Sequence, residues 1–192
     1  MKSGLSATLL AAAFLPWTAF AVVKLELNVS ALTDTVESDW TAVYYSQRQP
    51  LLLGNDGGTS TGGFHAWNLN GDSPIPVLGS TVSGRTKLVT TVHGINKKDW
   101  AISIAQPDSI IRAFRLPELV EEKSARLTAL GDWSALCSWQ SKTGNHYLYL
   151  FGKGQGVQFL ARKSKNAIEL LEVRLRITEG RVPMCRQLTN RF

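Results

Sequence analysis

The sequence predicts an all-β protein built from three repeats of four short strands, and three observations carry that reading. The apolar runs are short and no stretch holds a sustained helical period, so strands separated by turns are the pattern that fits. The strands recur in the same order at a fixed interval. Trp40 to Tyr45, Lys87 to Val92 and Ser134 to Trp139 begin three sets, each 47 residues after the last. Glycine and asparagine stand where tight hairpins need φ > 0, as in Asn70-Gly71-Asp72 and Lys142-Thr143-Gly144-Asn145.

Within each set the order repeats. Second strands are expected at Leu51 to Gly54, Trp100 to Ala105 and Tyr147 to Phe151, and third strands at Phe64 to Leu69, Ile110 to Leu116 and Val157 to Ala161. Fourth strands are weaker, at Ile75 to Leu78, Ala125 to Leu130 and Ile168 to Val173. Four strands in a repeat of about 40–50 residues is the unit of a propeller blade, a twisted sheet whose faces are covered by its neighbours. The expected fold is therefore a β-propeller fragment of about three four-stranded antiparallel blades over residues 22–173. Closed rings take about 4–8 blades, so two apolar faces are expected to meet remaining blades or another chain.

The ends of the chain differ from this body. Lys2, the apolar run from Leu5 to Leu15 and the small residues Ala19 and Ala21 read as a signal peptide over residues 1–21, which predicts a secreted, extracellular protein. Pro16 and Thr18 interrupt the run, which argues against a membrane anchor. In an exported chain Asn28-Val29-Ser30 is a glycosylation acceptor. Residues 174–192 lack the strand rhythm and hold five arginines against Glu179, so this basic tail contains +4 of the formal net charge of +6. With Lys2 removed, the body is left at +1. No aromatic and basic residues interleave in the tail, so nucleic acid is not expected as a partner, and no second long apolar segment follows the first, so a membrane is not expected either.

Several residue types that carry chemistry elsewhere read as structural here. The run from Gly57 to Gly63 is a hairpin loop between strands; no Gly-Lys-Ser/Thr and no helix follow it, so it is not a phosphate loop. His65, His93 and His146 are spread over three repeats without metal-ligand spacing. Asp56 reads as a turn residue, and Trp133 and Trp139 as packing between sheets or as ligand contacts. Cys137 sits in an apolar segment and reads as a buried free thiol, with a bond to Cys185 as the alternative.

Three segments give the repeat a likeness. Glu37-Ser38-Asp39-Trp40-Thr41-Ala42-Val43 opens the first set. Leu53-Gly54-Asn55-Asp56 with Gly62-Gly63-Phe64-His65-Ala66-Trp67-Asn68-Leu69-Asn70-Gly71 continues it. Trp139-Gln140-Ser141-Lys142-Thr143-Gly144-Asn145-His146-Tyr147, running to Phe151-Gly152-Lys153-Gly154-Gln155-Gly156-Val157-Gln158-Phe159, is the most specific. In order and spacing these segments resemble the β-propeller phytases, closest to the fungal secreted 3-phytases, over most of residues 38–173.

That resemblance implies a calcium-dependent phosphomonoester hydrolase acting on myo-inositol hexakisphosphate. Ca²⁺ takes 6–8 hard oxygen ligands and neutralises an anionic substrate, and a metal-bound water attacks phosphorus. By the resemblance Asp39 falls on a calcium-ligand position and Lys153 on a substrate-binding lysine; no catalytic residue is assigned. The chain departs from the family at Ser38, where an Asp stands, at Gly57 and Gly58 in place of a lysine pair, and at Gln106-Pro107-Asp108, where an arginine is lost. These departures predict a chain that is incomplete as an enzyme and inactive alone. The alternative is a non-catalytic phytase-like module that binds substrate, another domain or a protein partner, and a propeller scaffold serving an unrelated partner is a third.

Overall fold

The computed structural model describes residues 38–58, 62–69, 78–80, 85–106, 108–165 and 167–173. The expected signal peptide, the Asn28 sequon, the Asn70-Gly71-Asp72 turn and the basic tail lie outside them. Among the described residues no helix is long and apolar enough to cross a membrane.

The strands form three antiparallel sheets, each in chain order. The first holds β1 (Thr41–Tyr44), β2 (Leu51–Asn55), β3 (Phe64–Asn68) and β4 (Leu78–Ser80). The second holds β5 (Thr86–Ile95), β6 (Lys98–Ala105) and β7 (Ile110–Leu116), with β8 (Val120–Glu121) and β9 (Leu127–Thr128) both pairing with β7. The third holds β10 (Trp133–Gln140), β11 (His146–Gly152), β12 (Gln155–Ser164) and β13 (Ala167–Val173). The repeat therefore marks real strands in all three sets. In the first set the fourth strand, expected at Ile75 to Leu78, coincides with β4 only at Leu78, and residues 75–77 lie outside the described ones. The outer strand of the second sheet, expected at Ala125 to Leu130, differs. It is divided instead between β8 and β9 by a 3₁₀ turn over Lys123–Ala125, which Glu122 caps by accepting from the Ser124 N–H. An edge strand has one partner only, so it can break without leaving a neighbour unpaired.

The first strands of the three sheets, β1, β5 and β10, lie side by side and run the same way. Contacts between them join residues about one repeat apart. The Asp39 carboxylate meets Arg85 and the Tyr44 ring stacks on His93; further on, Thr90 Oγ1 hydrogen-bonds Ser138 Oγ at 3.2 Å, and Ser138 Oγ donates to the Thr91 carbonyl at 2.6 Å.

Side-chain alternation along β6 explains how the sheets pack. Trp100, Ile102 and Ile104 face the third sheet, where they meet Leu136, Leu148, Leu150 and Phe159; Ala101 and Ala105 face the first, against Leu51, Leu53 and Phe64. Where β6 is small the neighbouring strand is large: Ala101 stands opposite Phe114, which stacks on Phe64 with ring centroids 5.3 Å apart. Trp40, just before β1, packs against both clusters.

Both longer first strands begin with a bulge at the same place in the repeat, between Lys87 and Val89 and between Trp133 and Ala135. Leu88 has a φ of 50°, a conformation rarely adopted by leucine, and Ser103 Oγ secures it by hydrogen bonds to the carbonyls of Lys87 and Leu88.

The expected free thiol is corrected: Cys137 is disulfide-bonded. Alternation along β10 turns Leu136 and Ser138 toward the second sheet and Cys137 to the opposite face, so the apolar residues beside it in sequence do not surround it in space.

Two outcomes follow. Leu148→Ala, at a fully buried position, lowers unfolding free energy by about 2–5 kcal/mol, while Val120→Ser on the exposed edge changes it by less than about 0.5 kcal/mol, both read by denaturant titration. Alkylation under denaturing, non-reducing conditions leaves Cys137 unmodified in a peptide map, and prior reduction makes it reactive.

Candidate functional site

Each first strand begins at the end of its sheet where the second strand finishes. One end of the molecule, here called the mouth, therefore gathers the residues preceding β1, β5 and β10 together with the β2–β3, β6–β7 and β11–β12 connections. Asp39 and Lys153, the two residues the sequence singles out, both stand at this end. They are not brought together. Asp39 belongs to the seam between the first and second sheets, Lys153 to the third, and no hydrogen bond or ion pair joins them.

At the first seam Asn55 is the organising residue. It is fully buried, and its side chain accepts from the Trp40 N–H at 2.8 Å while donating to the Thr86 carbonyl at 2.8 Å. Thr86 in turn accepts from the Gly63 N–H through its hydroxyl at 3.0 Å. Asp56 is buried at 6 % exposure; its Oδ1 accepts from the Gly58 N–H at 2.8 Å and its Oδ2 lies 3.9 Å from His65 Nε2. This matches its reading as a turn residue. Gly54 lets Trp67 lie close on the backbone, since a Cβ there would come within 2.8 Å of the indole.

Asp39 is half exposed and faces Arg85, whose guanidinium donates to Oδ2 at 3.1 Å. At the second seam Lys87 Nζ donates to the Trp133 carbonyl at 3.3 Å and lies 3.9 Å from Asp132 Oδ1. Lys153 is exposed at the tip of the β11–β12 hairpin, and its N–H donates to the Asp132 carbonyl at 3.3 Å. A Cβ on Gly152 would run into that same carbonyl, so close approach of two backbones sets the glycine before Lys153.

The β6–β7 connection holds a third pair. Arg112, 7 % exposed, donates to Asp108 Oδ2 at 2.6 Å and lies 3.5 Å from Glu121. Burial pulls the Asp108 carboxyl upward, but the Arg112 hydrogen bond, the Ile110 N–H and the charges of Arg112 and Arg126 outweigh it, and its pKa lies below the ordinary range. An arginine is therefore present in this part of the second sheet after all, six residues beyond Gln106, held by a carboxylate.

Arg85, Lys87, Asn55 and Asp132 were not singled out by the sequence reading. The repeat itself is a signal for three of them: one interval beyond Asp39 lies the Arg85–Lys87 stretch, and one further lies Asp132. Trp133 is buried, its indole N–H donating to the Ala129 carbonyl at 2.7 Å, whereas Trp139 is 41 % exposed and stacks on Tyr147. Packing accounts for Trp133.

The described residues do not fit a calcium site by themselves. Ca²⁺ requires several converging oxygens, yet the Asp39 carboxylate is held by a guanidinium, and among the described residues no three His, Cys, Asp or Glu side chains are placed to hold an ion. No protein-family model, curated protein or solved structure matches this chain.

Asn55→Ala leaves the Trp40 N–H and the Thr86 carbonyl without their partner and lowers stability by about 1–3 kcal/mol for each buried group, measured by urea denaturation. Asp108→Asn tests the buried pair. A carboxyl whose folded pKa is depressed stabilises above its unfolded value of about 4 and loses that contribution as pH falls through the folded value. The stability difference between wild type and Asp108→Asn is therefore largest at neutral pH and shrinks in acid below about pH 4.

Proposed function

We propose that the chain forms three consecutive blades of a phytase-like β-propeller, and that the residues described form a non-catalytic module of it. What carries the reading is the contact pattern between sheets. First strands run parallel, and the ion pairs and hydrogen bonds joining them recur at close to one repeat, at 46 residues between Asp39 and Arg85 and between Lys87 and Trp133, and at 48 between Thr90 and Ser138. Packing each sheet on the next with the same offset is how blades are arranged about an axis, and a ring of about 4–8 such sheets covers every face.

Two observations support the non-catalytic part. Asp39, the metal-ligand position by resemblance, is occupied by Arg85, and among the described residues two further acids of the mouth face bases, Asp108 with Arg112 and Asp132 with Lys87. A mouth neutralised by its own side chains exerts little pull on a highly anionic substrate. Hydrolysis of inositol hexakisphosphate with calcium would need further carboxylates converging on Asp39. One observation favours the enzyme as a second reading: Asp39 and Lys153 stand at the same end of their sheets, as residues of one site must.

The experiment is phosphate release from inositol hexakisphosphate by the folded, monodisperse protein, with calcium at about 1 mM, set by weak extracellular affinities, and with chelator. No release above background is expected. Release that chelator abolishes would overturn the non-catalytic reading and establish the enzyme.

A further inference from the structure

The two ends of the sheets differ in charge. Whereas the mouth is balanced, the opposite end carries Lys97, Lys142 and Lys165 at the tips of the β5–β6, β10–β11 and β12–β13 hairpins, and Lys163 on the last turn of β12. All four are exposed, and among the described residues none has an ion-pair partner. The nearby acids are already engaged. Asp99 accepts from the Tyr44 hydroxyl at 3.0 Å and from the Gly94 N–H at 2.8 Å, with His93 Nδ1 3.6 Å away, and Glu169 holds Arg162 at 2.9 Å.

A cleft of about 410 Å³ opens between the second and third sheets at this end, lined in part by Asn96, Asn145, His146, Arg162 and Lys163. Its size is that of a small-molecule site, about 300–1,000 Å³. Phe159 and Ala161 face the second sheet, and strand alternation puts Lys163 on that face, over the cleft. His146 stands opposite Ala161 in register and shares the same face. Its pKa is lowered, first by burial and then by the neighbouring His93. Arg162 on the same wall is held by Glu169, which leaves Lys163 as the lining cation with no ion-pair partner among the described residues.

We propose that this cleft binds a small phosphate-type oligoanion, with Lys163 supplying a charge-assisted donor and His146 a ring N–H. The anion balances a charge that the protein leaves unpaired, and a charged donor holds phosphate oxygens more strongly than a neutral one does. The site is at the end of the sheets opposite Asp39 and Lys153 and does not depend on the propeller reading.

Calorimetric titration of the full chain with inorganic pyrophosphate tests it. Saturable binding is expected, weakened about tenfold or more by Lys163→Ala, as the loss of one charged hydrogen bond implies, and unchanged by Lys153→Ala. Binding is also expected to tighten as pH falls below the ordinary imidazole range, where His146 gains its second proton. The groups around His146 are Gln140 on β10, Lys163 on β12, and His93, Asn96 and Asp99 from the second sheet. Lys163→Gln serves as a second variant should the alanine perturb the hairpin. Absence of saturable binding would overturn the proposal. So would a loss of binding in Lys153→Ala with none in either Lys163 variant, which would place the anion at the mouth.

Discussion

Burial of the second sheet on both faces is the constraint from which the rest of the molecule follows. A sheet with one wet face alternates apolar and polar residues, whereas β6 is apolar or small at nearly every position because it has no wet face. The two faces differ in size: Trp100, Ile102 and Ile104 build the core toward the third sheet, while Ala101, Ser103 and Ala105 allow the first sheet to approach. Burying one large side chain is worth about 1.5–3 kcal/mol, so a dozen of them on the two faces far outweigh any polar contact at the ends. Position and direction of the outer sheets are thus set by the middle one.

Polar contacts at the mouth then act as sutures across seams already closed by apolar packing. The exposed pairs, such as Asp39 with Arg85, contribute about 0–1 kcal/mol. Buried Asn55 matters more, because the backbone groups it satisfies have no access to water and an orphaned one is costly. The same carboxylates that tie the seams thereby face basic side chains. At the far end Asp99 ties the first seam through the Tyr44 hydroxyl, while the lysines of the hairpin tips meet solvent, which imposes no requirement that they be matched.

The sequence made the strands and their order legible because each set repeats the same turn chemistry and the same apolar spacing; Asn96 and Lys97 adopt the positive φ of a tight hairpin, as does Gly144. The outer strand of the second sheet was less legible, because an edge strand is held by one neighbour and Glu122 competes for the backbone there. Cys137 was misread because burial was inferred from residues adjacent along the chain, which on a strand point the other way. Asp39 and Lys153 were singled out by resemblance alone, and the partner of the Asp39 carboxylate comes from the neighbouring repeat, 46 residues on. Only the packing of one sheet on the next shows which charges cancel.

Amide hydrogen exchange tests the central claim most directly. If the second sheet is the element on which the others rest, the amides of β6 and of β7 from Ile111 to Phe114 exchange only through global unfolding and are the slowest in the protein, while those of β1 and β13 exchange through smaller openings. Exchange of β6 as fast as that of β1 or β13 would contradict the account, because it would mean that the two core clusters do not bury the middle sheet from both sides.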